Sequence, residues 1–197
     1  MALNIGVCGL GIMGGAFANN LARNGFHVTG YDPSKVRSNI FKKAGGVIAK
    51  SNKEVAENSD VIITSVATAK ILDEVIQGKN GIIKGAKKGL IILEASTVSF
   101  EEKKRNQIAL KKVNATMLDT PVSGAGRQAE AGEISIMISG PKSAFNKIKT
   151  ILPGFTKVSY YVGPFGESSK TYKAPKSTIT ESANLEIIKT ISKACNF

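Results

Sequence analysis

The chain has 197 residues, of which 42% are hydrophobic and 21% are charged. This length suits one packed α/β domain with a short appendage, and the composition disfavours disordered and membrane proteins. The net charge of +12 favours anionic ligands. Because tryptophan is absent and the lysines are not interleaved with stacking aromatic residues, the sequence disfavours a nucleic-acid platform.

The N-terminal residues lead directly into an apolar segment, without the basic flank and cleavage site of a signal peptide. The longest apolar runs have the length of a strand and are too short to span a bilayer. We therefore expect a cytoplasmic protein with no membrane contact. Cys8 and Cys195 lie at opposite ends of the chain without metal-ligand spacing, so no metal site is predicted.

Short β-branched runs alternate with amphipathic stretches as far as residue 162. This order predicts an α/β domain with a mainly parallel sheet and helices on both faces. The predicted strands are residues 4–9, 27–31, 47–48, 60–65, 89–94, 116–119, 134–139 and 157–162. The apolar spacing predicts helices over residues 13–24 and 142–152, and capping-box patterns at Ser51 and Ser99 mark two further helix starts.

The character of the chain changes after Val162, where a polar stretch is followed by Pro175. Helical spacing returns over residues 181–193, through Leu185, Ile188 and Ile191. The sequence therefore predicts a domain over residues 1–162 and a short helical C-terminal tail over residues 163–197. An exposed apolar stripe on that tail would indicate an oligomer or a lost domain.

A glycine-rich turn follows the first predicted strand, with the sequence Gly9-Leu10-Gly11-Ile12-Met13-Gly14. A strand enters this turn and a helix leaves it, which is the context of the Rossmann dinucleotide-binding fingerprint. The first glycine allows a tight turn, the second allows close approach of a pyrophosphate, and the third allows the helix to pack on the sheet. We predict that all six residues bind the cofactor, whose phosphates the helix N-terminus would hold.

Asp32 closes the second predicted strand, 18 residues after Gly14. A carboxylate at this place accepts hydrogen bonds from the adenosine ribose hydroxyls and repels a 2′-phosphate, so NAD is favoured as the cofactor. Lys35 and Arg37 follow closely, and their positive charge leaves NADP open as an alternative.

Three ordered motifs resemble those of the 3-hydroxyisobutyrate dehydrogenase group within the β-hydroxyacid dehydrogenases. Residues 9–21 are similar to the family's nucleotide-binding signature, residues 95–99 to its Ser-Thr segment, and residues 119–126 to its substrate-binding segment Asp-x-Pro-Val-Ser-Gly-Gly. The chain departs from the last pattern at Ala125, which replaces a glycine and is expected to crowd the turn. The match covers most of residues 1–166, and the chain ends before the family's second, all-helical domain.

The resemblance implies a reversible hydride transfer between nicotinamide and a small 3-hydroxyacid or its semialdehyde. Ser96 and Thr97 would border the nicotinamide. The segment Ser65-Val66-Ala67-Thr68 would line the cofactor groove. Ser123 and Gly124 would contact the substrate, although without the resemblance these two residues would be interpreted as a plain turn. All of these segments follow strand ends, where ligands bind in open α/β sheets.

The family's proton-handling lysine begins a long interdomain helix, of which residues 163–197 would be a remnant. Lys170 and Lys173 are the candidates, but neither matches the family pattern fully, because no asparagine follows one turn later and Pro175 interrupts the helix. A lysine here is otherwise a solvated surface charge.

Three hypotheses remain open from the sequence. The first is an active NAD(P)-dependent dehydrogenase, and the second is a truncated relative that binds NAD(P) with impaired catalysis. The third is a basic module that holds nucleic acid on a Rossmann scaffold, which only the net charge favours.

Overall fold

The structure, a computed structural model, describes residues 3–173, with side chains as far as Lys170. Its nine strands are β1 (Ile5–Cys8), β2 (Val28–Tyr31), β3 (Val47–Ile48), β4 (Val61–Thr64), β5 (Ile91–Glu94), β6 (Thr116–Asp119), β7 (Val122–Ser123), β8 (Ser135–Ser139) and β9 (Val158–Gly163). The α-helices are α1 (Ile12–Arg23), α2 (Lys35–Lys43), α3 (Asn52–Glu57), α4 (Ala69–Gln77), α5 (Phe100–Lys111), α6 (Gly126–Glu130), α7 (Lys142–Ile148) and α8 (Glu167–Lys173).

The strands form one sheet in which β3, β2, β1, β4, β5 and β6 lie side by side and run parallel. Strand β8 runs antiparallel to both β6 and β7, and β9 pairs parallel with β8. The predicted mainly parallel α/β fold is therefore confirmed. The strand order reverses between β1 and β4, and the carboxyl ends on either side of such a switch point open the crevice in which α/β proteins bind ligands.

Helices cover both faces of the sheet, and each face has its own apolar core. On one face, α1 and α7 bury Phe17, Leu21 and Phe145 against the strands. On the other face, α4 and α5 bury Leu72 and Leu110. Because the central strands are covered on both faces, β4 and β5 read as nearly continuous apolar runs instead of alternating ones.

The helix starts follow the local signals of the sequence. The Ser99 hydroxyl accepts from the backbone N–H of Glu102, and the Glu102 carboxylate accepts from the backbone N–H of Ser99, so the predicted capping box is complete. At α3 the Ser51 hydroxyl accepts from the Glu54 backbone N–H, but the Glu54 carboxylate accepts from Lys50 instead of from Ser51.

The observed elements depart from the predicted ones at helix α7 and at strand β7. Helix α7 ends at Ile148, and a separate 3-10 turn follows at Leu152–Gly154, so the single helix predicted over residues 142–152 is too long. Val122 and Ser123 form the short strand β7 because they pair with Ile136 and Ser135 of β8. The helix predicted over residues 181–193 lies outside the described residues. Within residues 3–173, no helix is both long and apolar enough to cross a bilayer.

Candidate functional site: the carboxyl edge of the sheet

At two positions of the glycine turn between β1 and α1, only glycine fits. Gly9 has a φ of +91°, and a Cβ there would lie 2.3 Å from the Ser65 carbonyl oxygen. A Cβ on Gly14 would lie 1.9 Å from the carbonyl oxygen of Gly9. These two glycines therefore bring the turn, the start of α1 and the end of β4 into direct contact.

Gly11 differs from these two, because the space above it is open. A Cβ on Gly11 would meet a single atom within 4 Å, an Arg37 guanidinium nitrogen at 3.9 Å. Gly11 is also the N-cap of α1, where no side chain caps the helix and no acidic residue stands in the first turn. The amides at the start of α1 therefore remain available for an anion, which is the arrangement that holds a pyrophosphate.

Asp32 lies directly beside this turn, with its side chain 4% exposed. Its Oδ2 accepts a hydrogen bond of 2.8 Å from the backbone N–H of Leu10, and its Oδ1 accepts one of 2.8 Å from Ser34. The Arg37 guanidinium donates to Oδ2 over 3.4 Å. Three contacts therefore use most of the carboxylate's four lone-pair positions, and its charge is partly neutralised. Binding of a ribose by Asp32 stays a prediction.

Two loops follow β4 and β5 and lie next to each other at the same edge. The Ser96 hydroxyl, in the second loop, accepts a hydrogen bond of 3.0 Å from the backbone N–H of Val66 in the first. Thr97 and Ala67 are exposed, whereas Ser96 is 4% exposed. The structure thus brings the predicted groove residues together, but the Ser96 hydroxyl is committed to joining the loops.

The predicted substrate segment has an ordered backbone instead of a plain turn. Ser123 is half-buried in β7, and Gly124 follows with a φ of +134° that favours glycine. Ala125 has a φ of −98° and is exposed, so the expected crowding is not observed. Substrate contact by Ser123 and Gly124 stays a prediction.

Lys170 and Lys173, the predicted catalytic residues, both belong to α8. The Lys170 side chain is 63% exposed, and its Nζ lies 2.9 Å from a carboxylate oxygen of Glu167. The neighbouring Ser168 and Ser169 instead point inward, toward Asp119. Lys170 therefore lies on the solvent side of the first turn of α8. The side chain of Lys173 lies outside the described residues.

The last residues of four neighbouring strands form a buried polar row, which the sequence analysis did not identify. Its members are Thr64, Glu94, Asp119 and Ser139, each 0% exposed, and the strand pairings place them side by side. Glu94 contacts the Thr64 hydroxyl, and its other oxygen accepts a hydrogen bond of 2.8 Å from the Ser96 backbone N–H.

Lys103 of α5 supplies a buried positive charge to this row. Its Nζ lies 2.8 Å from Asp119 Oδ1, and both side chains are at most 2% exposed. Asp119 also accepts hydrogen bonds of 2.8 to 3.0 Å from Ser168 and Ser169, so it fixes the start of α8 to the sheet. In the sequence, Lys103 stands beside Lys104 in a charged stretch, and no local signal distinguishes the buried lysine from the exposed one.

Glu94 has a pKa raised above its ordinary value because burial penalises the charged form, while Lys103 and hydrogen bonds from Thr64 and Ser96 oppose the shift. The folded protein then holds a proton in a pH range where the unfolded chain has lost it. Folding stability should consequently fall as pH rises from the ordinary range of a glutamate toward the raised pKa.

A Glu94→Gln variant should lose this part of the pH dependence, which amounts to at most roughly 1.4 kcal/mol per pH unit. Denaturant unfolding of both proteins between pH 5 and pH 8 would measure the difference, with the exposed Glu101→Gln as the control. Parallel profiles for wild type and Glu94→Gln would show that Glu94 is ionised in the folded state.

Taken together, the reversal in strand order, the open glycine turn and the adjacent carboxylate define a dinucleotide-binding domain. Residues 4–163 match the family described as the NAD binding domain of 6-phosphogluconate dehydrogenase, and the chain belongs to this family of NAD-binding domains. The predicted fold class and the predicted NAD cofactor are thereby confirmed.

Relatives of known sequence agree with this membership. A probable mitochondrial 3-hydroxyisobutyrate dehydrogenase of Dictyostelium discoideum is 37% identical over 162 residues, which are 82% of this chain and 50% of that relative. The mitochondrial 3-hydroxyisobutyrate dehydrogenase of Mus musculus is 34% identical over 162 residues, covering 82% of this chain and 48% of its own length. The chain thus spans about half the length of the curated relatives it matches.

Solved structures show the same fold. The 3-hydroxyisobutyrate dehydrogenase of Salmonella typhimurium superposes with a TM-score of 0.79 at 29% identity, over 86% of this chain and 59% of that one. The enzyme of Mycobacterium tuberculosis gives a TM-score of 0.81 at 23% identity, over 87% of this chain and 58% of that one. Because the identity to the Mycobacterium tuberculosis enzyme is only 23%, this similarity shows a shared fold and nothing further.

Proposed function

We propose that the chain is the nucleotide-binding part of an NAD(P)-dependent oxidoreductase of the 3-hydroxyisobutyrate dehydrogenase type. The reaction would be hydride transfer between the nicotinamide and a small 3-hydroxyacid or its semialdehyde. The observation that carries the proposal is the uncapped start of α1 beneath the open space at Gly11. The names of the relatives support a short hydroxyacid as the substrate, since they include 2-(hydroxymethyl)glutarate and L-threonate dehydrogenases.

The residues at the carboxyl edge fit a dinucleotide. The amides at the start of α1 would hold the pyrophosphate, and Asp32 would accept a hydrogen bond from the adenosine ribose. The two loops after β4 and β5 would border the nicotinamide, and Ser123 and Gly124 would hold the hydroxyacid. When bound, the nicotinamide supplies the hydride chemistry, while the protein orients the reactants and excludes water.

A second function, NAD(P) binding without turnover, is favoured by the position of Lys170. Its ammonium is paired with Glu167 and largely exposed, so it is not held near Ser123 by any described contact. Under this alternative, residues 1–162 bind the dinucleotide without carrying out the hydride transfer.

The experiment that tests both functions is a titration of the full chain with NADH, followed by fluorescence. Steady-state assays of NAD and NADP reduction with 3-hydroxyisobutyrate, 2-(hydroxymethyl)glutarate and L-threonate would follow. Binding with turnover supports the dehydrogenase, and Lys170→Ala and Lys173→Ala would then identify the residue that handles the proton. Binding without turnover supports the alternative, whereas absence of binding overturns both.

Arg37 provides a test of the choice between NAD and NADP. Its guanidinium lies between Asp32 and the space above Gly11, where it would neutralise the carboxylate and attract a 2′-phosphate. We expect Arg37→Ala to weaken NADPH binding about tenfold and NADH binding much less.

Fluorescence titrations with both cofactors would measure this difference, and Lys42→Ala, at the other end of α2, serves as the control. An equal loss for both cofactors would show that Arg37 does not distinguish them.

A cytoplasmic location and a homo-oligomeric assembly stay predictions, to be checked by fractionation and by light scattering.

A further inference from the structure

We propose that Glu94 is a positioning residue for the cofactor, because it sets the spacing between the two loops that border the glycine turn. These loops are residues 65–68, after β4, and residues 95–98, after β5. The inference rests on the proposed function, since it assigns the buried row a part in nucleotide binding.

A continuous series of contacts joins Glu94 to the glycine turn. Its Oε1 accepts from the Ser96 backbone N–H over 2.8 Å, and the Ser96 hydroxyl accepts from the Val66 backbone N–H over 3.0 Å. The preceding residue, Ser65, touches the turn, because its carbonyl oxygen lies 2.3 Å from where a Cβ on Gly9 would be. A displacement of Glu94 would therefore change the distance between the loops and the turn.

The second carboxyl oxygen of Glu94 contacts the end of β4, where the first of the two loops begins. It contacts the hydroxyl of Thr64, the last residue of β4, and that hydroxyl also lies 3.4 Å from the Leu93 carbonyl oxygen. If Thr64 donates to Leu93, it accepts the proton of a neutral Glu94. One carboxylic acid then holds both the end of β4 and the start of the loop after β5.

The surroundings of Glu94 agree with a neutral acid. The buried ammonium of Lys103 is already paired with Asp119, at 2.8 Å, so two carboxyl groups share one positive charge. The preceding residues of β5, Ile91 to Leu93, are apolar and buried, and an apolar residue at position 94 would pack without the cost of burying a carboxyl group. A polar residue here is explained by the two loop contacts that it makes.

The test compares Glu94→Ala, Glu94→Gln and Thr64→Val in the full chain by NADH titration and thermal unfolding. Glutamine is isosteric with the neutral acid and can accept from Ser96 and donate to Thr64, so Glu94→Gln should bind NADH within about threefold of wild type. Glu94→Ala leaves the Ser96 amide unpaired and should weaken binding about tenfold.

Thr64→Val keeps the shape of the side chain and removes the hydroxyl of a residue that is 0% exposed and so has no surface for a ligand. It should weaken binding about threefold, and it tests the proposal even if Glu94→Ala does not fold. Leu110→Ala, in the core under α5, is a control that should lower the melting temperature and leave NADH affinity unchanged.

The outcomes separate this inference from the proposed function. Failure of the wild-type chain to bind NADH would overturn the proposed function. Normal binding by wild type, together with unchanged affinity in folded Glu94→Ala or Thr64→Val, would overturn the positioning role alone. The expected result is that NADH affinity falls in Glu94→Ala and is restored in Glu94→Gln. If Glu94 served only the stability of the fold, the substitutions would change the melting temperature and leave NADH affinity unchanged.

Discussion

A Gly11→Val variant should fold as well as the wild-type chain and bind NADH at least about tenfold more weakly. Gly11 has an extended backbone, with a φ of −67° and a ψ of −166°, so no positive φ requires glycine there, and a Cβ would meet only an Arg37 guanidinium nitrogen, at 3.9 Å. The free energy of unfolding should therefore change by no more than about 1 kcal/mol. The added side chain would occupy the space in which a pyrophosphate approaches the amides of α1.

Gly14→Ala is the matched contrast to this variant within the same turn. Its Cβ would lie 1.9 Å from the Gly9 carbonyl oxygen, so we expect the turn to be displaced and the protein to be destabilised. Thermal unfolding and NADH titration of both variants would separate an effect on binding from an effect on folding. Unchanged NADH affinity in Gly11→Val would show that the nucleotide does not lie over this turn.

Replacing Lys103 by methionine is expected to cost about 3–5 kcal/mol of unfolding free energy, because it leaves a buried carboxylate without its partner. Asp119 is 0% exposed, and its Oδ1 accepts a hydrogen bond of 2.8 Å from the Lys103 ammonium. Methionine has nearly the same length and fills the space, so the loss reports the charge pair and not a cavity. Asp119 also accepts hydrogen bonds from the hydroxyls of Ser168 and Ser169. The loss of Lys103 should therefore also weaken the packing of α8 on the sheet.

Lys104→Met is the matched control for this effect, because Lys104 is the next residue of α5 and is exposed. Its unfolding free energy should stay within about 0.5 kcal/mol of wild type. Chemical unfolding of the two variants measures the difference directly. Equal stability of Lys103→Met and Lys104→Met would contradict the buried ion pair.

The sequence by itself determined the features that depend only on residues close together along the chain. The glycine turn, the capping box at Ser99 and the alternation of strands and helices are local signals, because backbone sterics and helix amides act over a few residues. The turn at Gly9 and the start of α5 lie where the sequence predicts them. The glycine fingerprint, together with Asp32 after the second strand, indicated the cofactor class as well.

Only the tertiary structure decided how residues from distant parts of the chain meet. Nothing local separates Lys103 from Lys104, or shows that Glu94 and Asp119 end adjacent strands, because burial and strand order are properties of the whole sheet. The orientation of Lys170 toward solvent likewise follows from the way Asp119 fixes the first turn of α8. Such contacts join residues that are far apart in the chain, so the folded sheet was needed to reveal them.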